Sequence, residues 1–400
     1  MATRGGGSVL GTKPFEETQE RGDLRDMVAA LLARELPPDR ALALDREGLF
    51  AADAWTALGK AGLLGLGGDE SAGGTGGTVG DAVAVTEEIA RVLPGLAVDY
   101  VTCGMAMRML GDGTGTVGSP ATAAWLPAIA SGEMICSFGM SEPDVGTDLL
   151  NLRTSARVED GRWVVKGQKL WISLAHKAEV AFVLCRTDPP EAGRRSRGLS
   201  VIAVPLDQPG VTVNRVHLAG MRAAGTCEIY FDDATAPLDH LVGERGRGLA
   251  LLAQTLDVER VLAAGISLGI GRAALDLHLA HLREREAFGG PIGRFQALQH
   301  AAADSLADLS ASRALVATSV RAIEDGRPAT ALTAMAKLVA GESTARIVDR
   351  GMRAMAAHGL AEESAMQMYF RDARLQLFSP VSNDMIRNIL GESLGLPRSY

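Results

Sequence analysis

The hydrophobic period of this chain changes twice, and that order constrains the fold more than any other feature. Residues 16–135 read as helical: "DLRDMVAALLARELP" carries apolar residues at 27, 28, 31 and 32 and stops at Pro37. "DAVAVTEEIARVL" and "LAVDYVTCGMAMRML" continue the pattern on either side of Pro94 and Gly95, and the glycine-dense "LGGDESAGGTGGTVGD" reads as a loop. From about residue 136 the period becomes two. "RTSARVED-GR-WVVKG" alternates around an Asp-Gly turn, the strongest short hairpin cue, and "AEVAFVLCRTD", "GLSVIAVPLD", "GVTVNRVHL" and "CEIYFDDATAP" follow as strands bounded by Gly, Pro or Asp. Such spacing predicts a small antiparallel barrel or sandwich. After Gly248 the chain turns helical again, first in a segment of unusual length, "LALLAQTLDVERVLAAGISLGIGRAALDLHLAHLRERE", then in two more long helices and a short one from about Ser382. The fold class is therefore α+β: a flexible tail over 1–20, a helical domain over 21–135, a β-domain over 136–245 and a helical bundle over 246–400.

A chain of 400 residues with 47% hydrophobic and 22% charged residues can bury a large core. Its formal charge of −8 and the lack of any basic run exclude nucleic acid and acidic membrane surfaces as natural partners. The longest uncharged apolar stretch, Val261–Gly271, is far short of the ~20 residues that span a bilayer. The start "MATRGGGSVLGTKPF" has no apolar segment of the secretory kind. Cys103, Cys136, Cys185 and Cys227 have no paired spacing and read as reduced thiols in the cytoplasm; neither they nor the histidines imply a metal.

Two stretches carry chemistry. In "FGMSEPDVGTD", 138–148, Gly139 and Gly146 present backbone N–H groups while Ser141 and Thr147 add short hydroxyls, a set that can bond the edge of a flat heterocycle or a phosphate chain. In "GQKLWISLAHK", 167–177, Trp171 is one of four tryptophans and stands beside Ser173, so an indole face and a hydroxyl occur together. Taken singly, the first is a common turn and the second a core tryptophan with a surface serine.

Together with "WLPAIASGE" (125–133), "GMRAAGTCEIYFDDATAP" (220–237), "LDVER" (256–260), "REAFGGPIGRFQALQ" (285–299) and "RDAR" (371–374), they stand in the order and spacing of the acyl-CoA dehydrogenase family, which the chain resembles from roughly 25 to 395. The resemblance implies an N-terminal helical domain, a central β-domain, a C-terminal four-helix bundle, FAD at their junction, and a homotetramer or homodimer. It implies that Phe138, Met140, Ser141, Gly146 and Thr147 cradle the flavin and that Trp171, Ile172 and Ser173 cover its face. Arg285, Phe288 and Gln296 would reach FAD across a subunit interface, Arg285 toward the pyrophosphate, whose oxygens suit a planar guanidinium. Arg353 and Ser382 complete the expected cofactor set.

Family chemistry takes the proton α to a thioester and moves the β-hydride to flavin N5, which requires a positioned carboxylate. The usual glutamate shortly after "RDAR" is replaced here by Pro380, and in a second family arrangement the base stands on the "LDVER" helix, where Glu259 occurs. Asp257 and Arg260 share one helix face and match the family's substrate contacts. Proline also removes a backbone N–H that would hold the thioester oxygen, leaving Val381 as the nearest donor. In "GMRAMAAHG", Arg353, Ala356 and Ala357 replace the family's Gln and paired glycines, which admit a close backbone approach to FAD. The leading function is FAD-dependent α,β-dehydrogenation of an acyl thioester carried by CoA or a carrier protein, with electron-transferring flavoprotein or a similar protein as acceptor. Alternatives on the same fold are a flavin monooxygenase, which needs no α-proton base, and a non-catalytic family member.

Overall fold

The computed structural model describes residues 17–111, 119–190 and 194–398. Helices α1 (Gln19–Glu35), α2 (Pro38–Glu47), α3 (Ala52–Lys60), α4 (Val79–Val92), α5 (Pro94–Leu110), α6 (Pro120–Ala123) and α7 (Leu126–Ser131) form the first domain. Their ends follow the local chemistry. Thr18 accepts a hydrogen bond from the Arg21 N–H to start α1 at Gln19. Thr78 and Asp81 form a reciprocal capping box on α4, and Pro38 and Pro94 open α2 and α5.

The middle of the chain gives β1 (Cys136–Gly139), β2 (Ser155–Glu159), β3 (Arg162–Ile172), β4 (Val180–Arg186), β5 (Leu199–Pro205), β6 (Val211–Arg215), β7 (Cys227–Pro237) and β8 (Leu241–Val242). Asp160 and Gly161 both have positive φ, as the two-residue hairpin between β2 and β3 demands. The hydrogen-bonded order is β6-β7-β3-β2-β4-β5-β8. β1 lies parallel to β4 beside Val180–Val183, and β2 meets the other end of the same edge at Arg186. The strands thus make one open sheet, antiparallel as the spacing predicts except where β1 and β2 run parallel to β4. Period-two patterning does not distinguish parallel from antiparallel neighbours.

β4 and β5 are buried on both faces. Val180, Phe182 and Leu184 with Leu199, Val201 and Ala203 pack into the helical core, whereas Ala181, Val183 and Cys185 with Ile202 and Val204 pack against β3 and β7. Continuous apolar runs, with no alternation, are what such strands require.

The bundle consists of α8 (Gly248–Glu284), α9 (Gln296–Glu324), α10 (Thr330–Met355), α11 (Ala357–Leu360), α12 (Ala365–Asp372) and α13 (Asn383–Ser393). α8 packs on α4, α5, α9 and α10. A Cβ at Gly269 would stand 2.4 Å from the Glu87 carbonyl oxygen, so α8 and α4 touch backbone to backbone there. Around this contact the fully buried Glu87 and nearly buried Glu88 are clamped by arginines from four helices. Arg25 reaches Glu87 at 2.9 Å and Glu88 at 3.1 Å, Arg91 and Arg272 hold Glu88 at 2.6 and 3.1 Å, and Arg313 bonds both Glu87 oxygens.

Candidate active site

The loop after β1 is held by a buried ion pair. Lys169 of β3, with no exposed surface, donates Nζ to the Met140 carbonyl and to Glu142 Oε1, both at 3.0 Å. Glu142 also accepts the backbone N–H groups of Arg153 (2.7 Å) and Thr154 (2.9 Å). Burial alone would raise the Glu142 carboxyl, but Lys169 and these donors keep it below its ordinary range. Burial also pulls the Lys169 ammonium down against the attraction of Glu142; the direct contact and the donors on Glu142 keep the pair ionised. The Leu170 N–H donates to the Ser141 carbonyl at 2.9 Å, and Glu142 and Val145 bond each other through their backbones. Neither Lys169 nor Glu142 was legible as a clamp from sequence, because the two are 27 residues apart.

This pinned loop leaves groups to spare. The hydroxyls of Ser141, Thr147 and Ser173 make no hydrogen bond among the described residues, and nothing lies within 4 Å of where a Cβ on Gly146 would stand. At the end of β3 the ladder with β7 shifts register between Leu170 and Ile172, and the bulge turns Trp171 outward with φ 66° and 55% of its surface exposed. Ile172 points the other way into the sheet core at 2% exposure, so only its backbone can meet a ligand. Likewise the half-buried Phe138 ring packs 5.3 Å from Phe182, and Met140 packs against the helical core; both offer main chain. An exposed indole face beside unpaired hydroxyls on a rigid turn fits the expected flavin, whose plane can stack while its edge is hydrogen-bonded.

α8 carries the acid. Glu259 is half-buried and forms no hydrogen bond or ion pair among the described residues. Although some of its surface meets solvent, the surrounding protein desolvates it enough to push the carboxyl to about 7, against the opposing pull of Arg260. At 100° per residue, Glu259 points about 160° away from Asp257 around the helix. Asp257 is fully engaged: its oxygens take Arg260 Nη1 at 3.1 Å, Thr333 Oγ1 at 2.8 Å and Thr330 Oγ1 at 2.9 Å. Arg260 is 5% exposed and its Nε lacks a partner among the described residues. Asp257 and Arg260 therefore tie α8 to α10, and Glu259 stands apart from them. On another flank of α8 a cleft of about 440 Å³ is bounded by Leu251, Gln254, Thr255 and Val258, the end of α5 and the Gly67–Gly77 loop.

Around the missing glutamate, Pro380 is exposed. The buried Lys337 holds this segment from below, donating to the Val381 carbonyl at 2.8 Å and to Asn383 Oδ1 at 2.7 Å; burial brings its ammonium down to about 8. The Val381 N–H donates to nothing among the described residues. Ser382 caps α13 by accepting the Met385 N–H. Lys337 was missed in the sequence; its one signal there is a lysine among apolar residues in "TAMAKLVAG".

The remaining residues lie elsewhere. Arg285 follows the last turn of α8, so it stands about 39 Å along the helix from Glu259. Phe288 (88% exposed) and Gln296 project from the same turn, and His281 and His358, with ring centres 5.6 Å apart, bring the end of α10 alongside. Arg353 pairs there with Asp349 at 2.8 Å. These four residues share one end of the bundle and do not join Glu259 within one chain.

Three acyl-CoA dehydrogenase family models match, the N-terminal domain over residues 18–133, the middle domain over 137–234 and the C-terminal domain over 246–395. Among relatives, the probable acyl-CoA dehydrogenase YngJ of Bacillus subtilis is 31% identical over 386 residues, 95% of this chain and 99% of the relative. The mitochondrial isovaleryl-CoA dehydrogenase of Pongo abelii is 30% identical over 380 residues, 94% of this chain and 89% of its own. A glutaryl-coenzyme A dehydrogenase solved as its glutaryl-CoA complex superimposes with a TM-score of 0.90 at 29% identity, covering 97% of this chain and 98% of that one. With matches along nearly its whole length, the chain belongs to the acyl-CoA dehydrogenase family and is an FAD-dependent oxidoreductase acting on CH–CH groups.

Proposed function

We infer that the chain desaturates an acyl thioester at its α,β bond, with Glu259 removing the α-proton. One observation carries this reading: a half-buried carboxylate without partner among the described residues, its pKa raised to about 7, on the helix face left free by Asp257 and Arg260. Such a group is half ionised near neutral pH and strong enough to take a proton that the thioester has acidified. FAD supplies the acceptor for the β-hydride. Ser141, Thr147 and Ser173 would bond the flavin edge, and Trp171 would exclude water from its face. The Val381 N–H, whose carbonyl is anchored by Lys337, would hold the thioester oxygen in place of the donor that Pro380 lacks.

The distance of about 39 Å along α8 supports an assembly in which Arg285, Phe288, Gln296 and Arg353 serve the cofactor of a second copy, as a homodimer or homotetramer would allow. Electrons would leave to electron-transferring flavoprotein or a similar protein.

The test is anaerobic mixing of the yellow holoenzyme with thioesters of CoA and of a carrier protein. Flavin absorbance should bleach with the wild type, whereas Glu259→Gln should retain FAD and stay yellow. Bleaching at an unchanged rate in the variant would remove Glu259 from the reaction. Reduced-flavin-driven oxygen uptake with a hydroxylated product, in place of bleaching, would assign the chain to oxygen chemistry.

A further inference from the structure

We propose that the cleft on the α8 flank next to that of Glu259 accepts acyl thioesters whose far end bears a carboxylate, and that Arg108 reads that group; the proposal rests on the dehydrogenase reading above and gives its substrate class.

The cleft, about 440 Å³, lies within the size range of small-molecule sites. Its α8 wall is the stripe 251, 254, 255 and 258, which follows i, i+3, i+4, i+7 spacing and ends beside the residue that carries the base. An acyl chain with its α-carbon at Glu259 can therefore run back along this stripe for about 12 Å, to the level of Leu251. The facing wall is the last turn of α5, and there Arg108 enters the cleft.

Arg108 is an unusual wall residue. Its Nη2 is buried and has no hydrogen-bond partner among the described residues, and the side chain forms no ion pair there. Its seat is built for it: Gly67 has φ +77°, and a Cβ at that position would stand 2.0 Å from Nη2. Any other residue at 67 would evict the guanidinium. Burial works against the charge on Arg108, with the Tyr100 hydroxyl acting the other way, yet an arginine keeps its proton in proteins. The other charged groups on the cleft are Asp69 and Glu70. Both are exposed; Asp69 accepts the Ser71 N–H and hydroxyl at 2.8 Å, the Glu70 carboxylate lies against Gly76, and neither pairs with Arg108. Their charges are screened at the rim, and the unpaired cation lies within.

An alkyl tail would leave that buried donor unsatisfied, whereas a terminal carboxylate can accept two parallel N–H bonds from the guanidinium. A charged hydrogen bond of this kind corresponds to a preference of roughly 10- to 100-fold.

The experiment compares adipyl-CoA with hexanoyl-CoA, equal in chain length and different at the far end. Two readouts on the holoenzyme are required: the anaerobic flavin-reduction rate at limiting thioester, and calorimetric affinity for the corresponding CoA thioethers, which cannot be desaturated. The wild type should favour the diacid 10- to 100-fold in both, and Arg108→Met should bring the ratio to one or below. Should that variant fail to fold, the wild-type ratio and Arg108→Lys, which keeps charge without the planar fork, decide the matter. Equal handling of the two compounds by the wild type, or an Arg108→Met ratio still above tenfold, overturns the proposal. If neither thioester bleaches the flavin, the dehydrogenase reading fails by itself, and the thioether affinities still decide the role of Arg108.

Discussion

Replacing Glu259 by glutamine should make the protein more stable while making it inactive, and the size of the gain depends on pH. In the folded protein the carboxyl is raised from its ordinary 4.5 to about 7 by desolvation. That rise corresponds to about 3 kcal/mol of folding free energy. The sign follows from where the proton sits. Below about pH 4.5 the group is neutral in both folded and unfolded chains and costs nothing; as pH rises through 7 the folded chain must hold a poorly solvated charge, and stability is lost. Glutamine removes that titration. With an unfolding entropy of about 2 cal/mol/K per residue, 3 kcal/mol moves the midpoint of a 400-residue chain by roughly 4 °C. Calorimetry of the FAD-loaded proteins near pH 8 and again near pH 5 measures it: the Gln variant should melt roughly 4 °C higher in the first case and within about 1 °C in the second. The same ionisation should make flavin reduction in the wild type rise about tenfold per pH unit below 7 and level off above it. Equal melting of the two proteins near pH 8, or the same gain at both pH values, would refute the claim that Glu259 is held as a desolvated anion.

Two other sites behave differently. Glu87 is depressed to about 2 because the arginines around it outweigh its burial, so its contribution is present above about pH 4.5 and lost as pH falls toward 2. Glu87→Gln should cost about 3 kcal/mol near neutral pH in denaturant unfolding, with the difference closing in acid. Lys169→Met leaves Glu142 buried without its cation and should cost about 3–5 kcal/mol. The released loop should also let go of FAD, read as flavin absorbance per polypeptide after gel filtration.

How much of this was legible in advance depends on the range of the interactions. The Asp160–Gly161 hairpin is written in adjacent residues and stands where the sequence puts it, whereas the Thr78 cap lies inside a stretch that reads as a loop and Pro94, read as a break, opens α5. Glu259 was proposed from the family resemblance, whose second arrangement puts the base on the "LDVER" helix, once Pro380 stood in the usual position. Hidden from the sequence was whatever depends on distant partners. "TEEIAR" looks like a solvated helix face, yet Glu87 meets Arg313, 226 residues away. Lys169 reads as an ordinary strand lysine until Glu142 appears beneath it. The parallel pairing of β1 with β4 has no local signature, because β1 is four residues long and its partner lies beyond a hairpin. Arg108 closes the series: that its Nη2 lacks a partner among the described residues depends on several segments and is written in none of them.

The length of α8 has one last consequence. In the proposed assembly each flavin is gripped at its ring by one chain and at its phosphates by another, because a single helix separates those functions. Two variants that are each inert as pure proteins, Glu259→Gln and Arg285→Glu, would then rescue one another when co-expressed. A mixed pair contains one site with both defects and one with neither, so activity reappears in hybrids of two dead parents.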